Sequence, residues 1–249
     1  MLARTAEAPT ARPGAPPGAV LQVLAGPRLL VGGKPLTLPE SSLRFLVFLA
    51  FRRRPVPRRA VAAALWPDSD EARAAGNLRS AMWRLRGSDA GLLDIAGTAV
   101  AIGSHVAVDL DVVNRWAERI IRGTAEPADL RVPEAADAAL DLLPGWYDDW
   151  VIFERERVRA RTLHALEQVS RRLSAAGRHA QAVEAAIAAV CSEPLRESAQ
   201  RALILAHLAE GNQVEAYRTY QAYQALVSAE LGVTPSDALR ELVAVPIRR

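Results

Sequence analysis

The stretch DEARAAGNLRSAMWRLR, residues 70–86, decides how this chain reads. Set on a helix, Leu78, Met82 and Leu85 share one face with Ala74 and Ala81. That face must be buried, and the two helices expected before it are its natural cover. Opposite lie Arg73, Asn77, Ser80, Trp83 and Arg84, flanked by Arg79 and Arg86. Guanidinium, amide and hydroxyl groups on one helix face are those that reach base edges and phosphate oxygens from the major groove. Acids open the stretch and arginines close it, as the helix dipole prefers. Gly76 weakens the helix but clears a side chain from the outer face. Alone, such a face also suits plain solvation, so its neighbours carry the decision.

Two helices precede it. The first is expected over about 40–53, capped by Ser41 or Ser42, with Leu43, Leu46, Val47 and Ala50 as its buried stripe and Pro55 and Pro57 at its end. The second is expected over 58–66, where Pro67 stops it. Before them, residues 20–38 read as short strands turned at Gly26-Pro27 and Gly32-Gly33. After residue 86, LLDIAGTAVAI, residues 92–102, is a hairpin around Gly97-Thr98. Sheet, three helices and hairpin are the order of an α+β winged helix-turn-helix, with the third helix as recognition helix and the hairpin as wing. This DNA-binding domain is expected over 19–108. Residues 1–18, rich in Ala, Pro, Arg and Thr, read as a disordered tail.

From residue 111 onward the patterns are helical: 111–122, 133–143, 149–176, 179–192, 195–210, 213–230 and 236–244. Gly177 and Gly211 stand 34 residues apart, each followed by matching small residues such as Ala182 and Ala216, and Pro194 and Pro235 follow the helix pairs. That period marks tetratricopeptide-like packing. An all-α tetratricopeptide-like helical domain is therefore expected over 109–249.

Charge agrees with this division. Residues 1–110 carry 14 Lys plus Arg against 8 Asp plus Glu; residues 111–249 carry 17 against 20. A basic front half suits a polyanionic partner, double-stranded DNA. Base-reading candidates are Arg73, Asn77, Ser80 and Arg84. Backbone candidates are Arg44, Arg54, Arg58, Arg59, Arg79, Arg86 and Thr98, the last at the tip of a wing that lacks Lys and Arg. Trp66 reads as core. Trp83, Trp146, Tyr147 and Trp150 read as packing against another domain or a partner.

Other functions find little support. Cys191 is the single cysteine, and the four histidines lack ligand spacing, so no metal and no cofactor are expected. No phosphate loop or nucleophile elbow occurs. No catalytic residue is assigned: Glu154 and Glu156 lie in ERERVRAR, which reads as a solvated face. No apolar run is long enough to span a membrane and no signal-peptide core follows Met1, so a cytoplasmic, nucleoid-associated protein is expected.

ALWPDSDEARAAGNLRSAMWRLR, residues 64–86, resembles the recognition region of the Streptomyces antibiotic regulatory protein family. LLPGWYDDWVIFERERVRARTLHALE, residues 142–167, and EPLRESAQRALILAHLAEGNQVEAYRTYQAYQALVSAELGVTPS, residues 193–236, resemble the start and end of that family's bacterial transcriptional activator domain. The resemblance implies a winged helix of the response-regulator type and a helical domain packed on it. It also implies activation of transcription, often of secondary-metabolite genes, through repeated promoter sites and RNA polymerase. Longer relatives add an ATPase module and sensor repeats, so this chain resembles the small form. A homodimer on DNA is compatible with this. The competing reading is a tetratricopeptide-type protein-binding adaptor, or a ligand sensor, with little DNA affinity.

Overall fold

Strand β1, Ala19–Gln22, is one of two inner strands in the sheet that opens the molecule. In the computed structural model, residues 18–24, 26–87 and 90–244 are described. The tail expected over 1–18 lies outside them except for Gly18. The chain forms two compact units: residues up to Asp111 together with Leu143–Trp150, and Val112–Leu142 together with the residues from Val151 onward.

In the first unit, β1 pairs antiparallel with β2 (Arg28–Val31), which pairs with β3 (Lys34–Leu36). The β2–β3 turn is Gly32-Gly33, with φ of 57° and 78°. Positive φ at both central residues is what a type I′ two-residue hairpin turn requires, and glycine adopts it without strain. On its other side β1 pairs in parallel with β7, Ala107–Val108, so the sheet order is β3-β2-β1-β7. Asp109 locks this closure. Its carboxylate accepts from the Val23 N–H (2.9 and 3.0 Å), the Leu24 N–H (3.2 Å) and the Leu110 N–H (2.8 Å). Val23 and Leu24 are buried, so their amides would otherwise lack partners.

Helix α1 spans Glu40–Arg52. Pro39 stands at its N-cap and offers no side-chain acceptor, while Ser42 is buried; neither expected serine caps it. Its buried surface is also wider than the expected stripe. Phe45, Leu46, Val47 and Leu49 are fully buried, with Phe48 and Phe51 nearly so, whereas Leu43 is only half-buried. The cause is cover on several sides. Helix α3, Glu71–Arg86, and strand β6, Ala99–Ile102, pack on α1, and so does Trp150. Each fully buried Phe or Leu contributes about 1.5–3 kcal/mol.

Helix α2 is Arg58–Leu65. Trp66 follows it half-exposed, not in the core. The wing is β5 (Leu93–Ala96) and β6, joined at Gly97-Thr98, with Gly97 at φ 57°. A third strand, β4 (Val56–Pro57), completes it by pairing with β6.

The second unit is helical. Helices α4 (Leu110–Arg122, entering it at Val112), α5 (Ala135–Leu140) and α6 (Asp149–Ala175, entering it at Val151) lead to α7 (His179–Ser192), α8 (Glu197–Ala209), α9 (Gln213–Leu231) and α10 (Asp237–Val243). The 34-residue repeat is visible in the backbone. After α6 the Arg178 N–H donates to Leu173 O (2.9 Å) and Gly177 N–H to Ser174 O (3.1 Å). After α8 the Asn212 N–H donates to His207 O (2.8 Å) and Gly211 N–H to Leu208 O (3.0 Å). Both glycines are left-handed, φ 72° and 84°, so the same helix stop recurs at the same offset. The two Ala positions of the repeat, Ala182 and Ala216, are fully buried, which lets the paired helices approach closely.

The segment ERERVRAR is a solvated face only in part: Glu156 and Arg157 are exposed, but other charged groups turn inward. Glu154 is buried and paired with Arg157 at 2.6 Å. Arg155 Nε donates to Leu142 O (2.7 Å), and Arg159 binds Ser192 O and Glu193. Further along α6, Glu167 is also buried and accepts from Arg196 Nε and Ser198 Oγ, both at 2.7 Å. The long helix is covered by neighbours on several sides, so its charged groups meet protein partners.

Candidate nucleic-acid interface

Helix α3 begins where the Asp70 carboxylate accepts from the Arg73 N–H at 2.8 Å. Ala74, Leu78, Ala81, Met82 and Leu85 are buried, the face expected from spacing. Arg73, Ser80, Trp83 and Arg84 are exposed and Asn77 is half-exposed, so the four base-reading candidates share the outward face. Among the described residues, the side chains of these four make no ion pair or hydrogen bond. Gly76 lies on the same face, and a Cβ there would meet only the end of the Arg79 side chain, at 3.6 Å.

The backbone candidates divide. Arg79 and Arg86 are exposed on α3 with no ion pair among the described residues, and Arg54 is exposed beyond α1. Arg58 and Thr98 are brought together, because the Arg58 N–H donates to Thr98 O (2.9 Å) as β4 runs beside β6. The start of α2 and the wing tip thus form one surface. Arg59 sits near but is paired with Glu71 on α3 at 3.0 Å, both side chains well exposed. Arg44 is committed elsewhere, in an ion pair with Asp148. Likewise Arg53 pairs with Asp111, and the Arg52 guanidinium lies 4.9 Å from the centre of the Phe48 ring. Between α2 and α3 runs a groove of about 510 Å3, apolar at Ala62, Trp66, Leu78 and Met82 and bordered by Arg58, Arg59 and Arg79.

The aromatic candidates also part company. Trp150 is buried edge-on against Phe48, with ring centroids 5.3 Å apart, and lies 6.1 Å from Phe51. Trp146 stacks edge-on to Trp150 at 6.3 Å. Tyr147 and Trp83 are 79% and 76% exposed.

Comparison with known proteins bears on this arrangement. Residues 108–245 match the family model described as the bacterial transcriptional activator domain. The chain belongs to that family. The resemblance to the Streptomyces antibiotic regulatory proteins is thereby borne out, and the family is one of transcriptional regulators, not of enzymes. Among solved structures, Mycobacterium tuberculosis EmbR in complex with low-affinity phosphopeptide is similar in fold, with a TM-score of 0.63 at 20% identity. The alignment covers 91% of this activator-domain chain and 64% of EmbR, so the chain spans under two thirds of that protein. No curated protein sequence matches it. Among the described residues, no helix is long and apolar enough to cross a membrane, and no group of three or more potential metal ligands occurs.

Proposed function

We propose that this activator-domain protein binds specific DNA sequences through α3 and activates transcription from them. The observation that carries the reading is the distribution of guanidinium groups in the first unit. Arg44, Arg53 and Arg59 are held in ion pairs, whereas Arg73, Arg79, Arg84 and Arg86 project from α3 with no acidic partner among the described residues. A cationic helix face kept clear of internal partners is suited to phosphates and guanine edges. Arg73, Asn77, Ser80 and Arg84 read bases; Arg54, Arg58, Arg79, Arg86 and the wing tip at Thr98 position the duplex. Arg44 is the weakest backbone candidate, since DNA would have to displace Asp148.

Activation through contact with RNA polymerase, and promoter sites in repeated copies, are supported by membership of the activator-domain family. Two copies side by side on such repeats would follow. The test is selection of duplexes from a randomised pool by the full chain, followed by titration of the consensus with Arg84→Ala. A base contact predicts a loss of about 1–3 kcal/mol and relaxed preference at one position. Unchanged affinity and preference, with the fold intact, would remove Arg84 from the reading set.

A further inference from the structure

Trp83 stands at the middle of the outward face of α3. At about 100° per residue, Gly76, Ser80 and Trp83 lie farthest from the buried stripe of Ala74, Leu78, Ala81, Met82 and Leu85. Arg73, Asn77 and Arg84 form one shoulder of that face, and Arg79 and Arg86 the other. The indole is 76% exposed, so little of the described chain covers it. It borders a shallow hollow with Leu36, Leu38 and Pro39 beside Arg84. A large apolar ring is thus held in water, ringed by cations, on the face that enters the groove.

The chemistry of the duplex narrows what such a ring can meet. Base edges in the major groove present donors, acceptors and one apolar group, the 5-methyl of thymine. Arg79 and Arg86, on one shoulder, keep the helix close to phosphate while the ring faces the bases. We propose that Trp83 is a specificity-determining residue that reads thymine through its 5-methyl group. Arg84, the next residue, fixes the adjoining position. This inference rests on α3 being the DNA-reading helix.

The experiment uses the full chain and a duplex that it selects from a randomised pool. Each thymine is replaced in turn by deoxyuridine, which lacks only the methyl group. One replacement should weaken wild-type binding about fourfold, the worth of one buried methyl group. Trp83→Ala should bind the selected duplex roughly tenfold more weakly and be indifferent to that replacement, while Arg84→Ala keeps the sensitivity. Trp83 is exposed, so unchanged thermal unfolding of Trp83→Ala is expected and checks the fold. Wild-type indifference to every replacement overturns the proposal, as does full affinity or retained sensitivity in Trp83→Ala. A change in the sedimentation of the DNA-free protein on Trp83→Ala would assign the ring to self-association and overturn it too. If Arg84→Ala weakens binding while Trp83→Ala does not, this inference alone fails. If the wild type selects no consensus, the DNA reading itself fails.

Discussion

Replacing Trp150 tests what holds the first unit together. The side chain is 7% exposed and lies edge-on to Phe48 and tilted against Phe51, both on α1. Trp150→Ala removes a buried indole and leaves a cavity beside two phenyl rings, a change that costs about 3–5 kcal/mol. The indole N–H, however, is buried with no hydrogen-bond partner among the described residues. An orphaned donor of this kind costs about 1–3 kcal/mol. Trp150→Phe removes that penalty while keeping one ring, so it should cost less than about 1.5 kcal/mol. The assay is hydrogen exchange of the α1 amides, read beside urea unfolding of the whole chain. Exchange resolves the first unit, where the contacts lie. In Trp150→Ala, protection across α1 should fall by a factor of a hundred or more, from 3–5 kcal/mol at about 1.4 kcal/mol per tenfold, and Trp150→Phe should stay near wild type. Unchanged protection of α1 in Trp150→Ala would refute the assignment. Equal losses in both variants would refute the role given to the unpaired N–H.

Other substitutions probe separate joints. Asp109→Ala strips the buried Val23 and Leu24 amides of their acceptor and should lower stability by about 2–5 kcal/mol in urea titration, more than Asp109→Asn, which keeps one carbonyl. Gly103→Ala would set a Cβ 2.5 Å from the Gly91 carbonyl oxygen, so the wing must shift; a thermal midpoint lowered by several degrees is expected. In the second unit, hydrogen bonds from Arg119 (2.6 and 2.9 Å), with help from the Glu126 N–H, hold the Asp129 carboxyl below the usual carboxylate range. Its folded value lies below its unfolded one, so its stabilising contribution is present above the unfolded value, near pH 4. That contribution is lost as pH falls through the folded value. Asp129→Asn should flatten this part of the acid unfolding profile.

Long-range pairing and cover explain where sequence reading stopped. Helix α3 was legible because Ala74, Leu78, Ala81, Met82 and Leu85 repeat at helical spacing, and Asp70 marks its start. Hairpins were legible at Gly32-Gly33 and Gly97-Thr98, where the turn chemistry is local. Strands β4 and β7 were not: each has two residues and exists only through a partner far along the chain, β6 and β1. The burial of Phe45 and Leu49 outside the expected stripe depends on what surrounds α1, which periodicity does not contain. In ERERVRAR the charge pattern misled, since Glu154, Arg155 and Arg159 find partners brought up by folding. The outward set on α3 was readable from spacing, but the commitment of Arg44 to Asp148 and of Arg59 to Glu71 was not.

The central claim is that α3 and the surface beside it bind DNA. Its most direct measurement is an anisotropy titration of the full chain against its selected duplex and a scrambled duplex over a range of salt. With Arg54, Arg58, Arg79 and Arg86 as the proposed phosphate contacts, log K should fall with log salt at a slope of about −4, reduced by about one unit in Arg79→Ala. The selected duplex should bind at least about a thousandfold more tightly than the scrambled one. Absence of binding to either duplex at low salt would contradict the account and leave the helical unit as the functional part.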